Sequence, residues 1–135
     1  MKVQGGCHCG RITYEGEVDP AQVGLCHCTD CQMLTGSVFR VNVPAPADKF
    51  RMLSGTPSTY MKTADSGAKR IHAFCPNCGT PVYAHANVDK PPSYSLRVGC
   101  LLQKAELPPK RRIWCGSALP WSLNVSTVPG IERQP

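Results

Sequence analysis

Three stretches decide how this chain is read: Gly6-Cys7-His8-Cys9-Gly10, Cys26-His27-Cys28-Thr29-Asp30-Cys31-Gln32, and Phe74-Cys75-Pro76-Asn77-Cys78-Gly79. They hold seven of the nine cysteines in 135 residues; Cys100 and Cys115 stand alone. An odd number cannot all pair, and three thiols within six residues would close small strained rings as disulfides. Metal coordination has the opposite need, because thiolates must converge on one point and short Cys-x-Cys and Cys-x-x-Cys loops bring them there at little cost in chain entropy. The N-terminus, Met1-Lys2-Val3-Gln4-Gly5-Gly6, carries no apolar leader. A reducing, cytoplasmic location is therefore expected, where clustered thiols mean metal or catalysis.

Ligand counting divides the seven. Cys75-Pro76-Asn77-Cys78-Gly79 reads as a zinc knuckle that offers two thiolates, while a closed tetrahedral site needs four. Cys7 and Cys9 are the natural complement, giving a structural zinc that ties the N-terminus to mid-chain. Cys26, Cys28 and Cys31 supply three ligands and stop, the pattern of a catalytic zinc with an open fourth position. Closure of that site by Cys100, Cys115, His72 or His85 is the structural alternative. Thr29 followed by Gln32 has the form of a capping box and Gly36 of a C-terminal stop, predicting a short helix over Asp30 to Thr35. Cys31 would lie in its first turn, where the helix dipole favours thiolate. His8 and His27 each sit inside a Cys-x-Cys and should point away from the metal, with His27 the better candidate for a group that supports the metal ligands or faces substrate. His72 and His85 read as packing residues.

Outside the clusters the chain is made of short strands. Its 13 prolines leave no proline-free run longer than Ala21 to Val43, and that run shows no sustained helical period. Strands are expected over Arg11 to Val18, Ser37 to Val43 (Phe39, Val41 and Val43 on one face), Ile71 to Phe74 and Pro81 to Ala84. A hairpin is expected from Phe50 to Leu53 through Ser54-Gly55 to Ser58 to Met61. Tyr94, Leu96, Val98 and Cys100 alternate, which makes Cys100 a core thiol rather than a ligand. No linker or repeat divides the sequence, so a single zinc-binding domain over residues 1–135, mainly β and mostly antiparallel, is expected. No run reaches the ~20 apolar residues of a membrane span. The formal charge is +6, of which seven thiolates around two zinc ions would remove three. Lys110-Arg111-Arg112 lacks the aromatic interleaving of a nucleic-acid surface. Neither a membrane nor a nucleic-acid partner is expected.

The three cysteine groups, in this order and with Thr35-Gly36-Ser37 and Thr80 beside them, closely resemble the glutathione-dependent formaldehyde-activating enzymes, a family that includes centromere protein V. The resemblance runs from about Cys7 to Trp121. It implies an Mss4-like β-tent fold and two zinc ions per chain: one structural at Cys7, Cys9, Cys75 and Cys78, one catalytic or labile at Cys26, Cys28 and Cys31. It also implies a carbon–sulfur lyase that adds glutathione reversibly to formaldehyde, giving S-hydroxymethylglutathione. The sequence departs from many relatives at Arg112-Ile113-Trp114, where they carry a His-Ile-Trp-like segment, and in Cys115. Arg40 and Arg112 are candidates to hold a ligand carboxylate, against an ordinary solvated role. Two other readings stay open, a non-catalytic glutathione carrier or sensor and a zinc-stapled interaction module.

Overall fold

The computed structural model describes residues 1–135, and its ten strands fall into two sheets. The smaller runs β1 (Lys2–Gly6), β2 (Thr13–Glu17) and β5 (Phe50–Ser54), all antiparallel. The larger follows the order β10-β3-β4-β9-β8-β7-β6, built from β3 (Gly24–Cys26), β4 (Arg40–Pro46), β6 (Ser58–Thr63), β7 (Lys69–Phe74), β8 (Pro81–Ala86), β9 (Ser93–Arg97) and β10 (Arg111–Ile113). Every pairing is antiparallel except β10 with β3, which is parallel. One helix, α1 (Thr29–Thr35), interrupts the strands. The fold is mainly β, as the sequence requires, and no helix is long and apolar enough to cross a membrane.

The core forms where the two sheets face each other. Val3, Ile12, Tyr14 and Val18 come from the β1–β2 side; Val43, Ala45, Ala73, Val82 and Leu96 come from the large sheet; Leu101 and Leu107 close it from the connection before β10. The expected alternation of Ile12 and Tyr14 holds, with Gly16 and Val18 continuing the buried side. The Tyr14 hydroxyl finds no partner, and burial pushes its ionisation far above the ordinary range. Phe50 stacks on Tyr94 with ring centres 4.4 Å apart and meets Tyr83 edge-on, fixing the small sheet against the large one.

Three expectations fail. The stretch from Phe50 to Met61 is not a hairpin: β5 pairs with β2, setting Met52 opposite Tyr14, whereas β6 pairs with β7 in the other sheet. Gly55 explains the difference. Its φ is +80°, and a Cβ there would meet the Arg11 carbonyl oxygen at 2.4 Å, so the chain is pinned to the β2 edge and crosses between sheets instead of reversing. Ser54 adds to the tie through the Thr13 hydroxyl at 2.6 Å. Second, β9 ends at Arg97, and Val98–Cys100 is a 3-10 turn, so the alternation from Tyr94 stops short of Cys100. The Cys100 thiol instead donates to the Pro81 carbonyl at 3.1 Å. Third, β4 begins at Arg40 rather than Ser37: Val43 is buried, Val41 only partly, and Phe39 lies outside the strand with its ring edge-on to His27.

Candidate metal centre

The knuckle is the turn of the β7–β8 hairpin. The Cys75 amide donates to the Thr80 carbonyl and the Gly79 amide to the Cys75 carbonyl, which folds Cys75 and Cys78 onto one side. The turn after β1 brings Cys7 and Cys9 against them, and the His8 amide bonds the Thr80 hydroxyl at 3.1 Å, latching the two halves. All four sulfurs lie within 4.8 Å of one another. Cys7 to Cys9 is 3.5 Å and Cys9 to Cys75 is 3.7 Å. A tetrahedron with zinc–sulfur bonds of about 2.3 Å has edges of about 3.8 Å, so these spacings fit a tetrahedral thiolate site. The Ile12 amide points at the Cys7 sulfur at 3.3 Å. The Thr80 hydroxyl and amide hold the Cys78 thiol down to about 5, an anionic ligand at neutral pH.

The second cluster is built across the β3–α1 junction. Cys26 ends β3, Cys28 is the residue that caps α1, and Cys31 lies in the first turn. Their sulfurs are also within 4.8 Å of one another, and no further histidine, cysteine or carboxylate joins the set. The four residues that could have closed it are engaged or absent. His72 accepts from two arginines, His85 Nδ1 contacts the Ala86 carbonyl oxygen, Cys100 is bonded to Pro81, and Cys115 is exposed. Both clusters could hold a metal ion, one with a full tetrahedral donor set and one with three donors.

The cap differs from the expected one. Cys28, not Thr29, caps the helix, its sulfur accepting the Cys31 amide at 3.2 Å. Gln32 makes no capping box. Its side-chain amide donates to the carbonyls of His27 at 3.0 Å and Ser117 at 3.1 Å, tying α1 to the segment after β10. Gly36, at φ +64°, ends the helix as expected. The thiolate preference also shifts by one ligand. Burial pushes the Cys31 thiol up to about 12. Burial acts on Cys28 too, but the Cys31 amide, the neighbouring thiols and the Lys62 ammonium outweigh it and bring that thiol below its ordinary value. Of the three, the capping sulfur is the one whose ionisation is eased; burial raises the other two.

Beside Cys28 lies a cavity of about 310 Å³. Cys28, Thr29 and Asp30 form one wall, Lys62 and Asp65 a second, Trp114 and Ser117 a third. Lys62 Nζ is 3.1 Å from Asp30 Oδ2. The third wall exists because β10 runs parallel to β3, pairing Ile113 with Cys26, while the His27 amide donates to the Ile113 carbonyl at 3.1 Å. The chain then turns at Trp114, which takes a left-handed φ of +57° and is 56 % exposed.

A family model described as glutathione-dependent formaldehyde-activating enzyme matches residues 2–117, from the first strand to the serine that closes the cavity wall. The chain belongs to that family. Its architecture is also similar to the crystal structure of a Rhodobacter sphaeroides protein at 22 % identity, covering 81 % of this chain and 98 % of that one with a TM-score of 0.63. At that identity the likeness concerns the fold.

In this formaldehyde-activating family member, the remaining expected residues fall in different places. His27 is not substrate-facing: it is 0 % exposed, with both ring nitrogens unpartnered. Arg112 is exposed on β10. Arg40 is not a solvated arginine but a buried one, close enough to Cys31 to draw its thiol towards the anion. The sequence assigns no role to Lys62 or Ser117, gives Gln32 only the role of a capping-box partner, and leaves His72 as a packing residue or a closing ligand. Lys62 could have been found only by pairing β6 with β7, which places it beyond Tyr60 on the side towards α1.

Proposed function

We propose that the chain catalyses the reversible addition of a small-molecule thiol, glutathione by family membership, to formaldehyde or a similarly small aldehyde, as a carbon–sulfur lyase of the S-(hydroxymethyl)glutathione synthase type. The observation that carries this reading is the three-sulfur set of Cys26, Cys28 and Cys31, of which Cys28 lines the neighbouring cavity. Cys7, Cys9, Cys75 and Cys78 would hold a structural zinc, and Cys26, Cys28 and Cys31 a second one. Bound to three sulfurs, zinc supplies an open coordination position that favours thiolate over thiol at neutral pH.

The chain's own residues do the rest. Lys62 lines the cavity and favours negative charge on sulfur, as it does for Cys28. Trp114 covers one side with a flat apolar surface that excludes water from the reacting atoms. Asp30 and Asp65 are the carboxylates on the wall, and in this proposal they pass the thiol proton to solvent. The thiol sulfur forms a bond to the carbonyl carbon as the carbonyl π pair moves to oxygen. That oxygen takes up a proton, so the adduct contains every atom of both reactants. The reverse reaction breaks the same carbon–sulfur bond. The thiol-rich clusters suit a cytoplasmic, reducing setting.

The decisive experiment is NMR exchange spectroscopy on glutathione, formaldehyde and their adduct, with zinc-loaded protein and a Cys28→Ser control. Interconversion faster than the uncatalysed rate, returned to background by Cys28→Ser, is the expected result. Glutathione binding without acceleration would replace the lyase by a carrier. The same variant should retain one zinc per chain instead of two; retention of both, or of neither, would refute the division into two sites.

A further inference from the structure

The face of the large sheet turned away from the core carries its cations. Residues paired across strands point to the same side. Register therefore follows that face from Arg111 through Gly24 to Asn42, on through Ser95 and Ala84, to Arg70 and Lys62. Val43, Leu96 and Ala73 point the other way, into the core. The sheet curls enough that Arg70 on β7 and Arg111 on β10 line one groove of about 260 Å³, together with Gly24, Asn42, Ser95 and Cys26.

Both arginines reach this groove with their heads. β7 lies two strands from β9 and three from β4, roughly 10 to 14 Å across a sheet, so only the far end of Arg70 comes near Ser95 and Asn42. The strand between offers Ala84 and Ala86, small enough to let the arm pass over. Arg111 lies across its neighbouring strand: a Cβ on Gly24 would meet its Nε at 3.5 Å and its Cγ at 3.7 Å. Neither head is sealed, since Arg70 is half-buried and Arg111 exposed. Neither has an acidic partner. The ion pairs of the fold are Arg51 with Glu15 and Lys62 with Asp30, and no carboxylate lines the groove. Asn42 gives its Oδ1 to Arg97 Nη1 at 2.8 Å, which leaves its amide nitrogen as a donor. Two guanidinium forks and an amide, with no negative group among them, suit the paired oxygens of a carboxylate.

The position of the groove gives that carboxylate an owner. Cys26 lines the groove and Cys28 lines the cavity described above, while their sulfurs belong to one cluster. The same seam divides Ile113 from Trp114 along the chain, and Arg70 from Lys62 across the β6–β7 pair. The two recesses thus lie side by side at the three-sulfur set. One holds Asp30, Asp65 and Lys62; the charged residues of the other are arginines alone.

We propose that this groove binds a carboxylate bridged between the guanidiniums of Arg70 and Arg111, and that the carboxylate is the anionic arm of the thiol ligand. The site stands on its own donors; its assignment to the thiol ligand rests on the proposed reaction.

The test titrates zinc-loaded protein with glutathione, with its diethyl ester (thiol kept, carboxylates masked) and with S-methylglutathione (carboxylates kept, thiol masked). Arginine Nε–H resonances report the groove and calorimetry the affinity. Glutathione should shift Arg70 and Arg111 to saturation, whereas the ester shifts neither and binds about tenfold more weakly. Arg70→Gln combined with Arg111→Gln should bind glutathione as weakly as the parent binds the ester, with ester affinity unchanged; a merely structural role would weaken both. Ser95→Glu, which sets a carboxylate of the protein's own in the groove, should cost glutathione the same factor and serves if the double variant does not fold. S-methylglutathione binding as tightly as glutathione, with the same arginine shifts, would keep the carboxylate site and refute a thiol at the cluster. Equal affinity for glutathione and its ester, with both arginine resonances unmoved, would overturn the site and leave the proposed reaction standing.

Discussion

Cys28 serves two structures with one sulfur: it caps α1 and belongs to the three-cysteine set. Its lowered thiol and the raised Cys31 thiol make a sharp chemical contrast within one cluster. In chelator-treated protein between pH 7 and 8, iodoacetamide should modify Cys28 well before Cys31, read by peptide mass spectrometry. The order follows from sign: the thiolate is the nucleophile, and a thiol held up to about 12 stays protonated there. Faster labelling of Cys31 would contradict the charge distribution. Gly55 offers a second residue-scale test. Alanine there must tolerate both a φ of +80° and a backbone oxygen at 2.4 Å, so Gly55→Ala should cost about 1–3 kcal/mol in urea unfolding. At this scale, the seven clustered cysteines and the Gly36 stop were legible because their meaning lies in spacing. Arg40 was not, because nothing local distinguishes a buried arginine from a solvated one.

Among the elements, α1 matters most to the open cluster, and its position depends on Gln32 more than on its seven-residue length. The two bonds from that side chain hold the helix start to the Ser117 segment. Gln32→Ala should weaken zinc binding at the three-cysteine cluster by about tenfold, the scale of supporting contacts around metal ligands. The four-cysteine cluster should be unaffected, and competition against a chromophoric chelator separates the two. Strands with clean alternation, such as β2, could be read from the sequence, as could the β7–β8 hairpin around its knuckle. The β5–β6 connection could not: Ser54-Gly55 has the composition of a reversal, and only the packing of Gly55 on Arg11 sends the chain to another sheet. The parallel β10 was equally hidden, its three residues carrying no pattern and their partner lying far back in the sequence.

The two clusters have unequal weight in the molecule as a whole. The four-cysteine set joins the turn after β1, in the small sheet, to the β7–β8 hairpin, in the large one, whereas the three-cysteine set lies at a strand–helix junction of the large sheet's side. A small β fold gains much of its stability from such a metal staple. Cys75→Ser should therefore abolish cooperative thermal melting, followed by near-ultraviolet circular dichroism, while Cys28→Ser melts close to the parent protein. Equal damage from both would mean that the open cluster is structural too. The presence of two sheets, unlike the mainly β character, was beyond a single sequence, since strand order depends on which faces meet across the core. The parallel pairing of Arg111–Ile113 with Gly24–Cys26 also sets a timetable for synthesis. On the ribosome the four-sulfur staple can close soon after Cys78 emerges, but the Trp114 wall exists only once the chain has grown past Ser117. A nascent chain thus passes through a stage with its frame complete and its Cys28 face still bare, when reactive sulfur is most open to oxidants and stray electrophiles.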